Sequence, residues 1–221
     1  MADDETAAPH IAIVSYGGSA RSVQKAFERL GADASITLDH DELLASDGIV
    51  LPGNLAFGYA MAQIRTAKLE GILGETLRKL TPVLGIGVGM QLLYESSSES
   101  DGADGLGWLA GKVERLSATA EHKVPHKALR PVVWHRKSPL NDGLDDAYEF
   151  SYGHSYAVVP EDDSEILATA DHGEEFVAAV QRGTLYGVQF HPEISRFCGL
   201  QLLKNYVAEC THATETVTDH D

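Results

Sequence analysis

The stretch Pro82-Val83-Leu84-Gly85-Ile86-Gly87-Val88-Gly89-Met90-Gln91-Leu92-Leu93 decides the fold. It opens as an apolar run, the pattern of a buried strand, and after a glycine turn Met90, Leu92 and Leu93 begin a helix. A buried strand that turns at once into a helix is the unit of an open α/β sheet. In such sheets ligands gather outside the carboxyl ends of the strands. A tight strand-to-helix turn also holds its central residue in a strained backbone and aims that side chain into the cleft. Here the central residue is Gly87, which has no side chain to aim.

The surrounding chain repeats the pattern. Ile11 to Val14 reads as a strand that ends in a glycine turn, and Val23, Ala26, Phe27 and Leu30 follow at helical spacing until Gly31. Ser35 to Leu38 and Gly48 to Leu51 are further strands with a short helix, Asp41 to Ala45, between them. Ala60 to Leu80 has helical spacing, which Gly71 and Gly74 weaken. Beyond Ser96 the texture becomes polar and then extended: Pro131 to Trp134, Tyr148 to Ser151, Tyr156 to Val159, Glu165 to Ala170, Phe176 to Val180 and Leu185 to Phe190. Ser195 to Ala208 closes as a helix. The expected fold is α/β, a single open mixed sheet flanked by helices. Residues 1–9 are expected to be a disordered acidic N-terminus, residues 10–209 the domain and residues 210–221 a polar tail.

The 221 residues are 43% hydrophobic and 23% charged, enough apolar material for a core without staples. Lys and Arg number 17 against 33 Asp and Glu, a formal charge of −16, so nucleic acid and anionic membrane surfaces are poor partners. A solvated acidic shell, as in salt-adapted or merely very soluble proteins, is the simpler reading. The two cysteines, Cys198 and Cys210, form no CxxC pair, which excludes a disulfide scaffold or a thiolate zinc site. His122, His126 and His135 are too irregularly spaced for a metal site, and no cofactor is expected. The acidic start lacks the features of a secretory signal, and no apolar run reaches the roughly 18 residues of a bilayer span, so a cytoplasmic location is expected.

The second chemical signal is Gly187-Val188-Gln189-Phe190-His191-Pro192-Glu193. In an extended segment residues i and i+2 point the same way, so Glu193 can orient the imidazole of His191. A base and its orienter make half of a catalytic triad, and become functional only opposite something reactive. More often such a pair is a surface hydrogen bond.

Taken together these junctions resemble the class I glutamine amidotransferases, in particular the glutaminase subunits of imidazole glycerol phosphate synthase in histidine biosynthesis. The resemblance is carried by Leu51-Pro52-Gly53 with Ala56-Phe57-Gly58, by Gly85-Ile86 with Gly89-Met90-Gln91-Leu92-Leu93, by Gly105-Leu106-Gly107-Trp108 and by Val124-Pro125-His126. His154-Ser155-Tyr156, Gly187 to Glu193 and Gly199 to Asn205 complete it in family order. It implies a cysteine on the strand-to-helix turn that attacks the glutamine amide, forms a thioester and releases ammonia to a (β/α)8 barrel cyclase subunit. It places the base at His191 and its orienter at Glu193. Oxyanion donors are implied near Val88 and in the Gly53 loop, with Gln91, His154, Ser155 and Tyr156 around bound glutamine.

The departures carry equal weight. The family's cysteine is Gly87 here, and the turn holds no other Cys, Ser or Thr, so glutaminase deficiency is expected. Cys198 reads as a buried filler rather than a substitute. The first turn, Ser15-Tyr16-Gly17-Gly18-Ser19-Ala20-Arg21, lacks the family's Asp and Asn. The oxyanion loop reads Pro52-Gly53-Asn54-Leu55, where a second glycine would ease a backbone flip. Lys127-Ala128-Leu129-Arg130 stands where the family has a partner-facing M-G-W-N. Three readings stay open: an amidotransferase that still delivers ammonia, a pseudoenzyme that acts as scaffold or regulator of a barrel partner, and a phosphate cradle at Gly85 to Gly89.

Overall fold

The computed structural model describes residues 8–100 and 103–218, with side chains as far as Thr211. Most of the N-terminal stretch expected to be disordered, and the end of the tail, lie outside the described residues; Pro9 is already tied to the sheet through Asp33 N–H at 3.1 Å.

Eight strands make the central sheet. β1 (His10–Val14) lies between β2 (Asp33–Thr37) and β3 (Gly48–Leu51), and β4 (Val83–Ile86) follows β3. All four are parallel to one another and to β13 (Leu185–Val188), which pairs β4 with Gly187 opposite Gly85. β12 (Glu175–Arg182), β11 (Ile166–Asp171) and β8 (Val133–Trp134) extend the sheet antiparallel. The expected mixed sheet is therefore present. Two small sheets join it: β5 (Ser96–Ser97), β6 (Gly111–Arg115) and β10 (Tyr156–Pro160) form one, β7 (His126–Pro131) and β9 (Glu149–His154) the other.

Alternation along the strands splits the core into two layers. Ile11 and Ile13 face α1 (Ala20–Glu28) and α6 (Arg196–Thr218), packing with Val23, Phe27, Leu202 and Tyr206. Ala12 and Val14 face the layer of α2 (His40–Ala45), α3 (Phe57–Thr66) and α4 (Glu70–Arg78), with Leu43, Phe57, Met61, Ile64 and Leu73. The α3–α4 segment breaks at Lys68, whose φ is 56°, and not at Gly71 or Gly74, which lie inside α4 where a Cβ would meet nothing within 4 Å. The closing helix runs past Ala208 to Thr218, and Cys210, assigned by the sequence to the tail, is fully buried. Tyr206 pins that helix to the sheet, its hydroxyl lying 2.7 Å from Ile49 O and 2.8 Å from Pro82 O. Among the described residues no helix is long and apolar enough to cross a membrane.

Candidate active site

β4 ends at Ile86, and α5 (Val88–Gln91) starts two residues later. The turn between them is possible because Gly89 lets the new helix press onto β3: a Cβ there would overlap Leu51 O. Gly87 itself sits at φ 58°, ψ −117°, a backbone that L-residues rarely adopt, anchored by its N–H to Val188 O at 2.8 Å. The strained elbow that displays a nucleophile is thus built, without the side chain it would display.

Gly53, Val88, Gln91, His154, Ser155, Tyr156 and His191 join Gly87 around one cavity of about 260 Å³. Glu193 stands behind His191: His191 Nδ1 lies 3.0 Å from Glu193 Oε1, and the two side chains are 8% and 2% exposed. The carboxylate can only accept, so Nδ1 is the donor of this pair. Nε2 lies 3.3 Å from the place a Cβ on Gly87 would occupy. The buried face of the ring is fixed through its backbone, since His191 N–H donates to Ser151 O at 2.8 Å and Ser195 Oγ donates to His191 O at 2.6 Å.

The Gly53 loop faces inward. Gly53 O accepts from Val88 N–H at 3.3 Å, and a Cβ on Gly87 would collide with that oxygen. The backbone donor that the resemblance assigns to an oxyanion is therefore capped by a carbonyl. Gln91 is held by both its amide protons, to Tyr156 O and to Gln189 Oε1, each at 3.0 Å.

His154 belongs to a stack of imidazoles whose tautomers can be read off. His154 Nδ1 donates to Tyr156 O at 2.8 Å, which leaves Nε2 to accept from His126 Nδ1 at 3.1 Å. The His126 ring stacks on His172 at 4.0 Å, and His172 Nε2 donates to Lys123 O at 2.9 Å. Burial, with the neighbouring imidazoles adding to it, pushes His126 down to about 3 and His154 down to about 4. Among the described residues no group of His, Cys, Asp and Glu is arranged to hold a metal ion.

Sequence reasoning missed Glu99, which lies in the polar stretch beyond Ser96. It lines the cavity, and its Oε2 accepts Phe57 N–H at 2.7 Å. Among the described residues no Lys or Arg lines the cavity, α5 has only four residues, and its first N–H is capped, so the phosphate cradle finds no support. Cys198 does not line it either: its thiol donates to Ser195 O at 2.9 Å and Glu149 O at 3.1 Å, and burial pushes its pKa up. Ile194 and Phe197 are 58% and 64% exposed, and Lys127, Leu129 and Arg130 are exposed along β7.

An open mixed sheet with a strained strand-to-helix elbow facing a His–Glu pair defines a class of protein. The family model for glutamine amidotransferase class-I matches residues 12–210, and the chain belongs to that family. Within it, the chain is similar to the imidazole glycerol phosphate synthase subunit HisH of Moorella thermoacetica, 41% identical over 204 residues that cover 92% of this chain and 96% of that one. The same subunit of Rhodopirellula baltica is 41% identical over 197 residues, with 89% and 96% covered. These relatives place the chain in the HisH branch of the family. Among solved structures, a GMP synthase protein of Thermoplasma acidophilum superposes with a TM-score of 0.73 at 20% identity, covering 96% of this chain and 98% of that one. PurLQS of Thermotoga maritima gives 0.70 at 18% identity, covering 91% and 99%; both likenesses concern the fold.

Proposed function

We propose that this chain is the HisH-type subunit of an imidazole glycerol phosphate synthase in histidine biosynthesis, with a glutamine pocket that no longer hydrolyses glutamine. The observation that carries the reading is Gly87 at the elbow, facing an intact His191–Glu193 pair. Without a side chain there is no atom to accept the acyl group, and a base with nothing to deprotonate leaves only the residual rate that binding gives over water. Capping of Val88 N–H by Gly53 O removes a second contribution; one missing oxyanion donor costs about 10²–10³-fold.

In this reading Gln91, Ser155, Tyr156 and Glu99 hold glutamine, His191 and Glu193 keep their places without a nucleophile, and the barrel cyclase uses ammonia from solution. Exposed side chains on β7 and around the start of α6 support docking to such a partner. Ile194, Phe197 and Leu129 are exposed apolar groups, and Lys127 and Arg130 add positive charge on a chain of net −16. Glutamate release by the purified chain, alone and with a barrel cyclase subunit, tests the reading. Background release in both cases is expected; turnover at the rate of ordinary amidotransferases overturns it.

A further inference from the structure

The amide of Gln91 can be oriented from its neighbours alone. Tyr156 O is a carbonyl and only accepts, so the Gln91 atom 3.0 Å from it is the nitrogen, Nε2. The second proton of that nitrogen points to Gln189, whose facing atom, 3.0 Å away, must accept and is Oε1. Turned the other way, Gln91 would set its own oxygen against the Tyr156 carbonyl. Tyr156 O is itself fixed in this role, because its other lone pair takes the Nδ1 proton of His154 at 2.8 Å. Gln189 leaves the end of β13 with its N–H tied to Ala178 O of β12 at 2.9 Å, and the residue is 1% exposed. Among the described residues Gln91 Oε1 and Gln189 Nε2 have no hydrogen-bond partner, yet neither atom is sealed inside the protein. Both residues line the cavity, so these two atoms are what the amide pair offers to its contents.

We propose that Gln189 is a positioning residue for this pocket: by accepting from Gln91 Nε2 it holds the Gln91 amide one way round, with Gln91 Oε1 and its own Nε2 turned to the ligand. The inference rests on reading the cavity as a glutamine pocket and adds a selection rule to it. A group docked against Gln91 must be a hydrogen-bond donor, and a group docked against Gln189 an acceptor. Glutamine brings both kinds: its ammonium and carboxamide N–H groups donate, and its carboxylate and carboxamide oxygens accept. A ligand that presents an oxygen to Gln91 leaves two acceptors facing each other in a buried place, which is worse than a bond merely missing. Nothing in this network needs the side chain absent at Gly87, so it serves binding whether or not hydrolysis follows.

NMR of the full chain with labelled side-chain amides, together with calorimetry using L-glutamine, tests this. In the unmodified chain both Nε2 protons of Gln91 should exchange with heavy water about tenfold or more slowly than those of Gln189. Added glutamine should shift the Gln189 pair. Gln189→Leu removes the acceptor, frees the Gln91 amide to turn and should weaken glutamine binding about tenfold. Gln189→Glu accepts the same proton, and should recover binding and keep the Gln91 protons slow. The exchange measurement needs no variant, so it stands even where Gln189→Leu fails to fold. Equal exchange of the two amides, or undiminished binding in Gln189→Leu, overturns the proposal. A chain that binds no glutamine would overturn the pocket reading and this inference with it, whereas glutamine bound beside fast Gln91 protons overturns this inference alone.

Discussion

Restoring a thiol by Gly87→Cys tests how far the elbow has drifted from one that carries a side chain. The backbone at φ 58°, ψ −117° costs an L-residue about 1–3 kcal/mol. The new Cβ would also collide with Gly53 O, and relieving such an overpacked contact costs about 1–3 kcal/mol more. The variant should therefore lose about 2–6 kcal/mol, which in a domain of this size lowers Tm by at least about 4 °C. Calorimetry reads that loss, and a crystal structure of the variant should show Gly53 O turned away from Val88 N–H. Freeing that donor next to a thiol raises glutamate release above the unmodified chain. A variant within about 1 °C of the parent, with Gly53 O still on Val88 N–H, would refute the steric reasoning. A displaced loop without glutamate release would assign the deficit to Asn54 and Leu55 as well as to the thiol.

Acid should destabilise the fold early. His126 and His154 sit at about 3 and about 4 against an ordinary 6.5, so between those values the unfolded chain binds protons that the folded chain refuses. Their contribution is complete above about pH 6.5 and is lost as pH falls toward 4 and then 3; a urea midpoint at about pH 5 no lower than at pH 7 would contradict this. The net charge of −16 repels itself, so Tm should rise between about 0.05 and 1 M sodium chloride, and a flat profile would show that the carboxylates do not act together. Tyr206→Phe removes the hydroxyl between Ile49 O and Pro82 O and should cost about 1–3 kcal/mol in denaturant unfolding; no change would mean that α6 is held by packing alone.

Within the parallel half of the sheet β1, β3 and β4 were legible because each is a short apolar run with a glycine or proline soon after it. Gly48–Leu51 is fully buried along its length, and Ile11 to Val14 divides its side chains between two helical layers. What escaped lacks a local signal. β7 reads His126-Lys127-Ala128-Leu129-Arg130-Pro131 with only His126 buried, so pairing with β9 makes it a strand and periodicity does not. The break before α4 uses a left-handed Lys68 where a glycine would have announced it. In the site, Gly87, His191 and Glu193 could be found from turns and spacing. Glu99 was hidden in a serine-rich loop, and the imidazole stack draws on His126, His154 and His172, which only the fold brings together. The inward Gly53 carbonyl is a backbone orientation, which no side-chain pattern encodes.

The most direct test of the central claim is the intact mass of the unmodified chain after incubation with an electrophilic glutamine analogue. Because the elbow offers no sulfur and Cys198 is buried with its thiol engaged, the chain should emerge at its native mass. A stoichiometric adduct mapped to any residue of the cavity would contradict the account.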